Sequence, residues 1–144
     1  FEAGQYVNLW MPSMGWWSWT QTHPFIVTSW SRGNLDSIGL LVQPRGGMTA
    51  DLLYLAGSAS GHPVSFPALF TGPHGTSQSV DQYETVLLIA TGFGIAATIP
   101  YLKKMIHGHN TCTLQVRRVH LVWQVETLGM NNLGYLKILF QTVF

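Results

Sequence analysis

Charge is scarce in this sequence. Lys, Arg, Asp and Glu make up 9% of its 144 residues, against roughly 25% in an average soluble domain. Seven basic and six acidic residues leave a formal net charge of +1. No basic stripe exists, so nothing points to a nucleic-acid partner. Cysteine is nearly absent as well. The single Cys112 excludes an internal disulfide and any Cys-based zinc site, which fits a reducing compartment. No basic segment precedes an apolar one at the start, so no signal peptide is visible. The chain opens on Phe1 rather than Met and closes on Phe144 within an apolar run. Both ends read as cut, and the expectation is a fragment. The longest uncharged stretch, Thr85–Leu102, is borderline in length for a membrane span. Gly92, Gly94 and Pro100 interrupt it. They favour a buried strand and a turn over a spanning helix, the broken helix of a transporter being the alternative.

Apolar residues, by contrast, are plentiful at 47%. That suffices for one ordinary core or for two small pieces of domains. A surface so poor in charge implies burial against a neighbour, either a partner domain or something facing a membrane.

The first half reads as β structure. Gln5–Trp10 alternates in the manner of a half-buried strand, and Phe25–Trp30 and Ser37–Val42 are two further candidates. Between the first two lies a loop, Met11–Thr22, with Trp16, Trp17 and Trp19. These indoles suit packing on the β structure or a neighbouring domain, or a lipid or partner patch. A short helix is expected after Pro44, with Thr49 as N-cap and Leu52, Leu53 and Leu55 inward. Val64–Phe70 is strand-like, with Pro63 and Pro67 marking an edge or bulge. Thr71–Tyr83 is rich in small and polar residues and reads as a boundary loop. Beyond it the pattern predicts strand Val86–Ala90, a glycine turn, helix Ile95 to about His107, strand Val119–Gln124 and a helix from Asn132 onward. Such alternation implies parallel strands with a crossover.

Four motifs carry possible chemistry. The strongest is Thr91-Gly92-Phe93-Gly94-Ile95-Ala96-Ala97, placed directly between strand and helix. Two glycines let the backbone turn tightly and approach a ligand. The helix start offers unpaired N–H groups and a positive dipole end to a diphosphate. Ala97 stands where a third glycine is usual, and a tight connection with no ligand would look the same. The second motif is His23-Pro24-Phe25, which enters a strand containing Thr28 and Ser29. Phe25 offers a flat face and His23 a phosphate contact; a turn leading a core Phe into a strand is the plainer reading. The third, Gly46-Gly47-Met48-Thr49 with Arg45 beside it, makes either an anion nest or an ordinary helix cap. The fourth, Gly72-Pro73-His74-Gly75, is by itself only a turn. His107 and His109 lack the further ligands that a stable zinc site needs. Asp81 and Glu84 sit in a polar loop and read as solvated. No metal-binding residue is expected.

These motifs, in this order and spacing, resemble the ferredoxin–NADP reductase superfamily. The His-Pro-Phe form is similar to its ferric reductase and NADPH oxidase branch. The context Gln21–Phe25, the Trp-rich loop and Val119-His120-Leu121-Val122-Trp123-Gln124 look most like fungal ferric-chelate reductases. The resemblance covers essentially the whole chain. It implies a β plus α/β fold: an incomplete flavin-binding antiparallel β-barrel over 1–75, then a partial nucleotide-binding α/β domain over 84–144. It implies that His23, Pro24, Phe25 and Thr28 serve the flavin, and that Gly47, Met48 and Thr49 cradle the FAD diphosphate. It places Gly72 in the cleft between the domains, and has Gly92, Gly94, Ile95 and Ala96 hold NAD(P)H. The implied activity is an FAD-dependent NAD(P)H oxidoreductase of the ferric or metalloreductase type. Hydride would pass to FAD, and electrons onward to haem and a ferric acceptor, with no side chain acting as acid or base. The partners implied are the nicotinamide nucleotide and a haem-bearing membrane domain of the parent, which would hold this region on the cytoplasmic face. A truncated, non-catalytic remnant or interaction piece is the competing reading.

Three departures stand out. Ile26 follows His-Pro-Phe where relatives often carry a hydroxyl near the flavin, so either Thr28 or a backbone group substitutes or the flavin is tuned differently. Gln124-Val125-Glu126 holds no Arg for a 2′-phosphate, so a preference for NADPH is not supported. A late Cys-Gly element is absent, and Cys112 does not replace it.

Overall fold

The computed structural model describes residues 1–12, 20–59, 62–128 and 134–142; within 126–128 and 134–142 only the backbone is described. Trp16, Trp17 and Trp19 lie outside the described residues, as does Asn132.

Two sheets organise the chain. The first is antiparallel, with β1 (Tyr6–Trp10) between β2 (His23–Ile26) and β3 (Leu69–His74). Val7 faces Phe25 and Asn8 faces Pro24, while Leu9 faces Phe70 on the other side. The β1–β3 register slips between Tyr6 and Asn8. No closed barrel forms among the described residues. The expected strand Phe25–Trp30 leaves the ladder after Ile26, and Ser37–Val42 contributes only an isolated bridge, Val27 to Leu40. The cause is local. Thr28 N–H and Oγ1 both bond Gly39 O, and Gly39 N–H donates to Ser29 Oγ. Side chains thereby satisfy groups that a ladder would otherwise pair. Strand β3 begins later than expected and runs through Thr71–His74, which the sequence marked as loop.

Helix α1 (Met48–Ser58) lies against this sheet. Met48 and Met11 are buried together, with Leu9, Phe25, Leu52, Leu55 and Phe66 around them. Leu53, expected inward, is 58% exposed, because it falls off the face defined by Met48, Leu52 and Leu55. The N-cap is Gly47, not Thr49. Thr49 Oγ1 instead receives the N–H groups of Arg45 and Gly46 and donates to Gly46 O.

The second sheet is β4 (Thr85–Thr91), β5 (Arg118–Leu128) and β6 (Gly134–Thr142) in that order. Strands β4 and β5 are parallel, from Thr85 opposite Arg118 to Thr91 opposite Gln124. Helix α2 (Ile95–Asn110) makes the crossover. Its Met105 is fully buried with Val116 and Val119, and Val86, Leu88, Tyr101 and Leu102 pack around them. The segment expected as a helix from Asn132 is strand β6, antiparallel to β5. Leu136, Ile138 and Phe140 alternate with Tyr135, Lys137, Leu139 and Gln141. That period of two outweighs the apolar content that suggested a helix. Thr85–Leu102 does not cross a membrane as a helix. It is strand, turn and helix, and no helix among the described residues is long and apolar enough to span.

Gly108 makes the C-terminal part of α2 possible. A Cβ there would run into Leu114 Cγ and Cδ1, the residue that seals the core cluster on that side. We expect Gly108→Ala to lower unfolding stability by about 1–3 kcal/mol through overpacking. Urea denaturation with an unshifted midpoint would contradict it.

Candidate functional site

The site is built from two glycine turns, each set at the start of a helix. In the first, the Gln43–Thr49 loop folds on itself through the Thr49 hydroxyl. Gly47 takes φ 55°, open to glycine at no steric cost. Its carbonyl accepts from Ala50 and Asp51 N–H. The amides of Met48 and Thr49 belong to the first helical turn, where no intrahelical acceptor exists. A Cβ on Gly46 or Gly47 would meet nothing within 4 Å. The cradle therefore opens onto free space.

In the second turn, Gly92–Gly94 form one turn of 3-10 helix between β4 and α2. Gly92 has φ 49°, and neither Gly92 nor Gly94 would bring a Cβ within 4 Å of anything. Ala96 is buried, so α2 starts tight against the sheet. Trp123, which lies opposite Ala90 on β5, donates its Nε1–H to Gly92 O at 2.8 Å. Sequence reasoning missed this anchor. Its signal was a Trp near the end of the strand that pairs with β4.

A crevice of about 460 Å³ lies between the loop that leads into the first turn and the second turn itself. Gln43 and Arg45 line one side; Thr91, Gly92, Phe93, Gly94, Gln124 and Val125 line the other. None of these residues is acidic. The crevice sits at the carboxyl ends of parallel strands, where open α/β sheets take ligands.

The other sequence-derived residues divide. His23, Pro24 and Phe25 lie on β2, and Phe25 packs against the Met11–Met48 cluster. The His-Pro-Phe segment and the first glycine turn are thus neighbours. Thr28 is turned to other tasks. Its hydroxyl donates to Gly39 O, and its carbonyl accepts from Lys103 Nζ at 2.9 Å. Gly72 has φ 139°, and a Cβ there would sit 3.2 Å from Tyr6 O; its lack of a side chain serves the close approach of β3 to β1. Asp81 and Glu84 each pair with their own cation, Lys104 at 3.1 Å and Arg117 at 3.6 Å. No group of three or more metal-ligating side chains occurs among the described residues.

Both turns fit phosphate-bearing nucleotides, since each stands at a helix start with open space around its glycines and no acidic residue lines the crevice. Comparison with known proteins agrees. Residues 1–82 match a family described as an FAD-binding domain, and residues 83–139 match the ferric reductase NAD binding domain. A probable cell surface ferric reductase of Aspergillus oryzae is 28% identical over 132 residues, which is 85% of this chain and 17% of that protein. Ferric reduction oxidase 5 of Arabidopsis thaliana is 25% identical over 83% of the chain and 16% of its own length. Ferric reduction oxidase 7, chloroplastic, from the same plant is 32% identical over 62% of the chain and 14% of its length. The chain thus spans 14–17% of the length of these relatives. Such matches define a chain that binds a flavin and a nicotinamide nucleotide. It belongs to the FAD-binding domain family over residues 1–82 and carries a ferric reductase NAD binding domain over residues 83–139, with FAD and NAD(P)H as cofactors.

The indole anchor is testable. Trp123→Phe keeps the ring volume close and removes the donor. We expect a loss of about 0.5–1.5 kcal/mol in stability and faster hydrogen exchange at the Phe93 and Gly94 amides. Unaltered exchange there would show that the turn holds itself.

Proposed function

We propose that this chain is the dehydrogenase portion of a ferric-reductase-like oxidoreductase, moving hydride from NAD(P)H to FAD and electrons onward to haem and a ferric acceptor in the parent protein. One observation carries the reading. Gln43 and Arg45, from the loop that leads into the first glycine turn, share one crevice with the Gly92–Gly94 turn, so two dinucleotides seated on the two turns would lie close together. When bound, FAD supplies the conversion of a two-electron hydride donor into single-electron transfer.

The chain's residues bind and orient. Residues 1–75 act as a partial flavin domain built on part of a barrel, and 84–144 as a partial nucleotide domain. His23 and Pro24 lead β2 toward the flavin, and Phe25 stiffens the floor beneath it by packing on Met48. Gly47, Met48 and Thr49 offer main-chain amides to the FAD diphosphate. With the Thr28 proton committed to Gly39 O, the flavin edge beside Ile26 is met by backbone. Gly72 holds β3 close to β1 on the cleft side. Gly92, Gly94, Ile95 and Ala96 take the nicotinamide dinucleotide, leaving room for its ring to approach the flavin. Proximity supplies most of the rate, and no side chain serves as general acid or base. In the parent, this portion works beside a haem-bearing membrane domain on the cytoplasmic face, in iron reduction.

The test has two parts. Protein refolded with excess FAD should retain it and show flavin absorbance; colourless protein would favour a non-catalytic remnant. Gly94→Val should then abolish NAD(P)H-driven flavin reduction while FAD stays bound. Gly94 has helical φ, and its Cβ position is empty, so the substitution spares the fold and fills only the crevice. Unchanged reduction kinetics would show that the turn is not the nucleotide site.

A further inference from the structure

One cation lines the crevice, and none of the other residues that line it is acidic. Arg45 is exposed and contributes to the crevice wall opposite the Gly92–Gly94 turn. Both ion pairs among the described residues belong to other cations. Its guanidinium instead gives two N–H groups, from Nε and Nη2, to Gln43 Oε1 at 3.3 and 3.2 Å. Its main-chain N–H is fixed on Thr49 Oγ1 at 3.1 Å. The fork is therefore held at its base and along one edge by neutral groups. They orient it without neutralising it, and the remaining N–H groups are left for an anion. Across the crevice, β5 presents uncharged Gln124 and Val125 where its parallel pairing with β4 ends, the end of the strands at which dinucleotide-binding folds take their ligand.

We propose that Arg45, from the flavin-side loop, is an anchor for a phosphate of the nicotinamide dinucleotide. The proposal rests on reading the crevice as the nicotinamide-nucleotide site. The phosphate is either the diphosphate or the 2′-phosphate, and both offer the oxygens that an Arg fork takes. The nucleotide site is then shared between two segments far apart in sequence. The cation missing after β5 is supplied by residue 45.

Arg45→Gln tests this, since an exposed neutral side chain of similar reach leaves the fold intact. Affinities of the FAD-loaded chain for NADP⁺ and for NAD⁺ would be measured by calorimetry, with flavin content read from absorbance. We expect affinity for NADP⁺ to fall roughly tenfold or more, the usual worth of a hydrogen bond to a charged group. Arg45→Lys should recover part of the loss. An equal fall for NAD⁺ supports the diphosphate, and a fall confined to NADP⁺ supports the 2′-phosphate. Unchanged affinity for both nucleotides overturns the proposal, as does loss of FAD with nucleotide affinity preserved. Gly94→Val measured alongside separates the two failures. If it weakens binding and Arg45→Gln does not, only the role of Arg45 falls; if neither does, the crevice is not the nucleotide site.

Discussion

The connection from β4 to α2 must reverse the chain within three residues while keeping both ends packed. Val86 and Leu88 are held beneath α2 by Met105, and Ala96 is pressed against the sheet at the other end of the turn. Gly92 absorbs the reversal at φ 49°, a conformation that side chains resist. Trp123 then fixes its carbonyl. The open space around the two glycines is thus a by-product of how a strand and a helix are joined under close packing.

Helix α2 touches the loops around the first sheet. Lys103 on α2 donates to Thr28 O beyond β2. Tyr101 accepts from Gln78 N–H at 3.0 Å and abuts Gly4, where a Cβ would lie 2.6 Å from its hydroxyl. Trp30 rests against His107, with ring centroids 5.5 Å apart. Most of these contacts are polar or aromatic and lie at the surface. They join the halves without welding them into one core, since Met11–Met48 and Met105–Val116–Val119 remain separate clusters.

The legible parts of the sequence were those governed by neighbours in the chain. The apolar run of β4, the glycines after it and the helix to Asn110 follow from local pattern, and so does β1. What failed depended on distant partners. Ser37–Val42 has strand composition, yet its groups are taken by Thr28 and Ser29. The stretch expected as a helix from Asn132 is apolar enough for one, but from Gly134 the chain pairs with β5 instead, a partner that reinforces its period of two. Thr49 resembles an N-cap, but the two glycines before it let the loop curl back onto its hydroxyl. In the candidate site the glycines were visible as residue types. The Trp123 anchor and the position of Arg45 were not, because each spans a gap that periodicity cannot measure.

The low charge of the sequence has a structural counterpart. Along β4, Val86, Leu88 and Ala90 face α2, while Leu87 and Ile89 on the other side are 57% and 67% exposed. Parallel strands normally have both faces covered, and a continuous apolar run is the mark of such a strand. Leu53 and Tyr54 on α1, and Leu69 and Phe70 on β3, repeat the arrangement. A surface that met only water would carry polar residues at these alternate positions, at no cost to the packed side. That apolar residues stand there instead makes the 9% charge a property of particular faces rather than of the chain as a whole. The crevice belongs to a different kind of surface: its walls carry Gln43, Arg45, Thr91 and Gln124, the polar lining that a phosphate-bearing ligand requires.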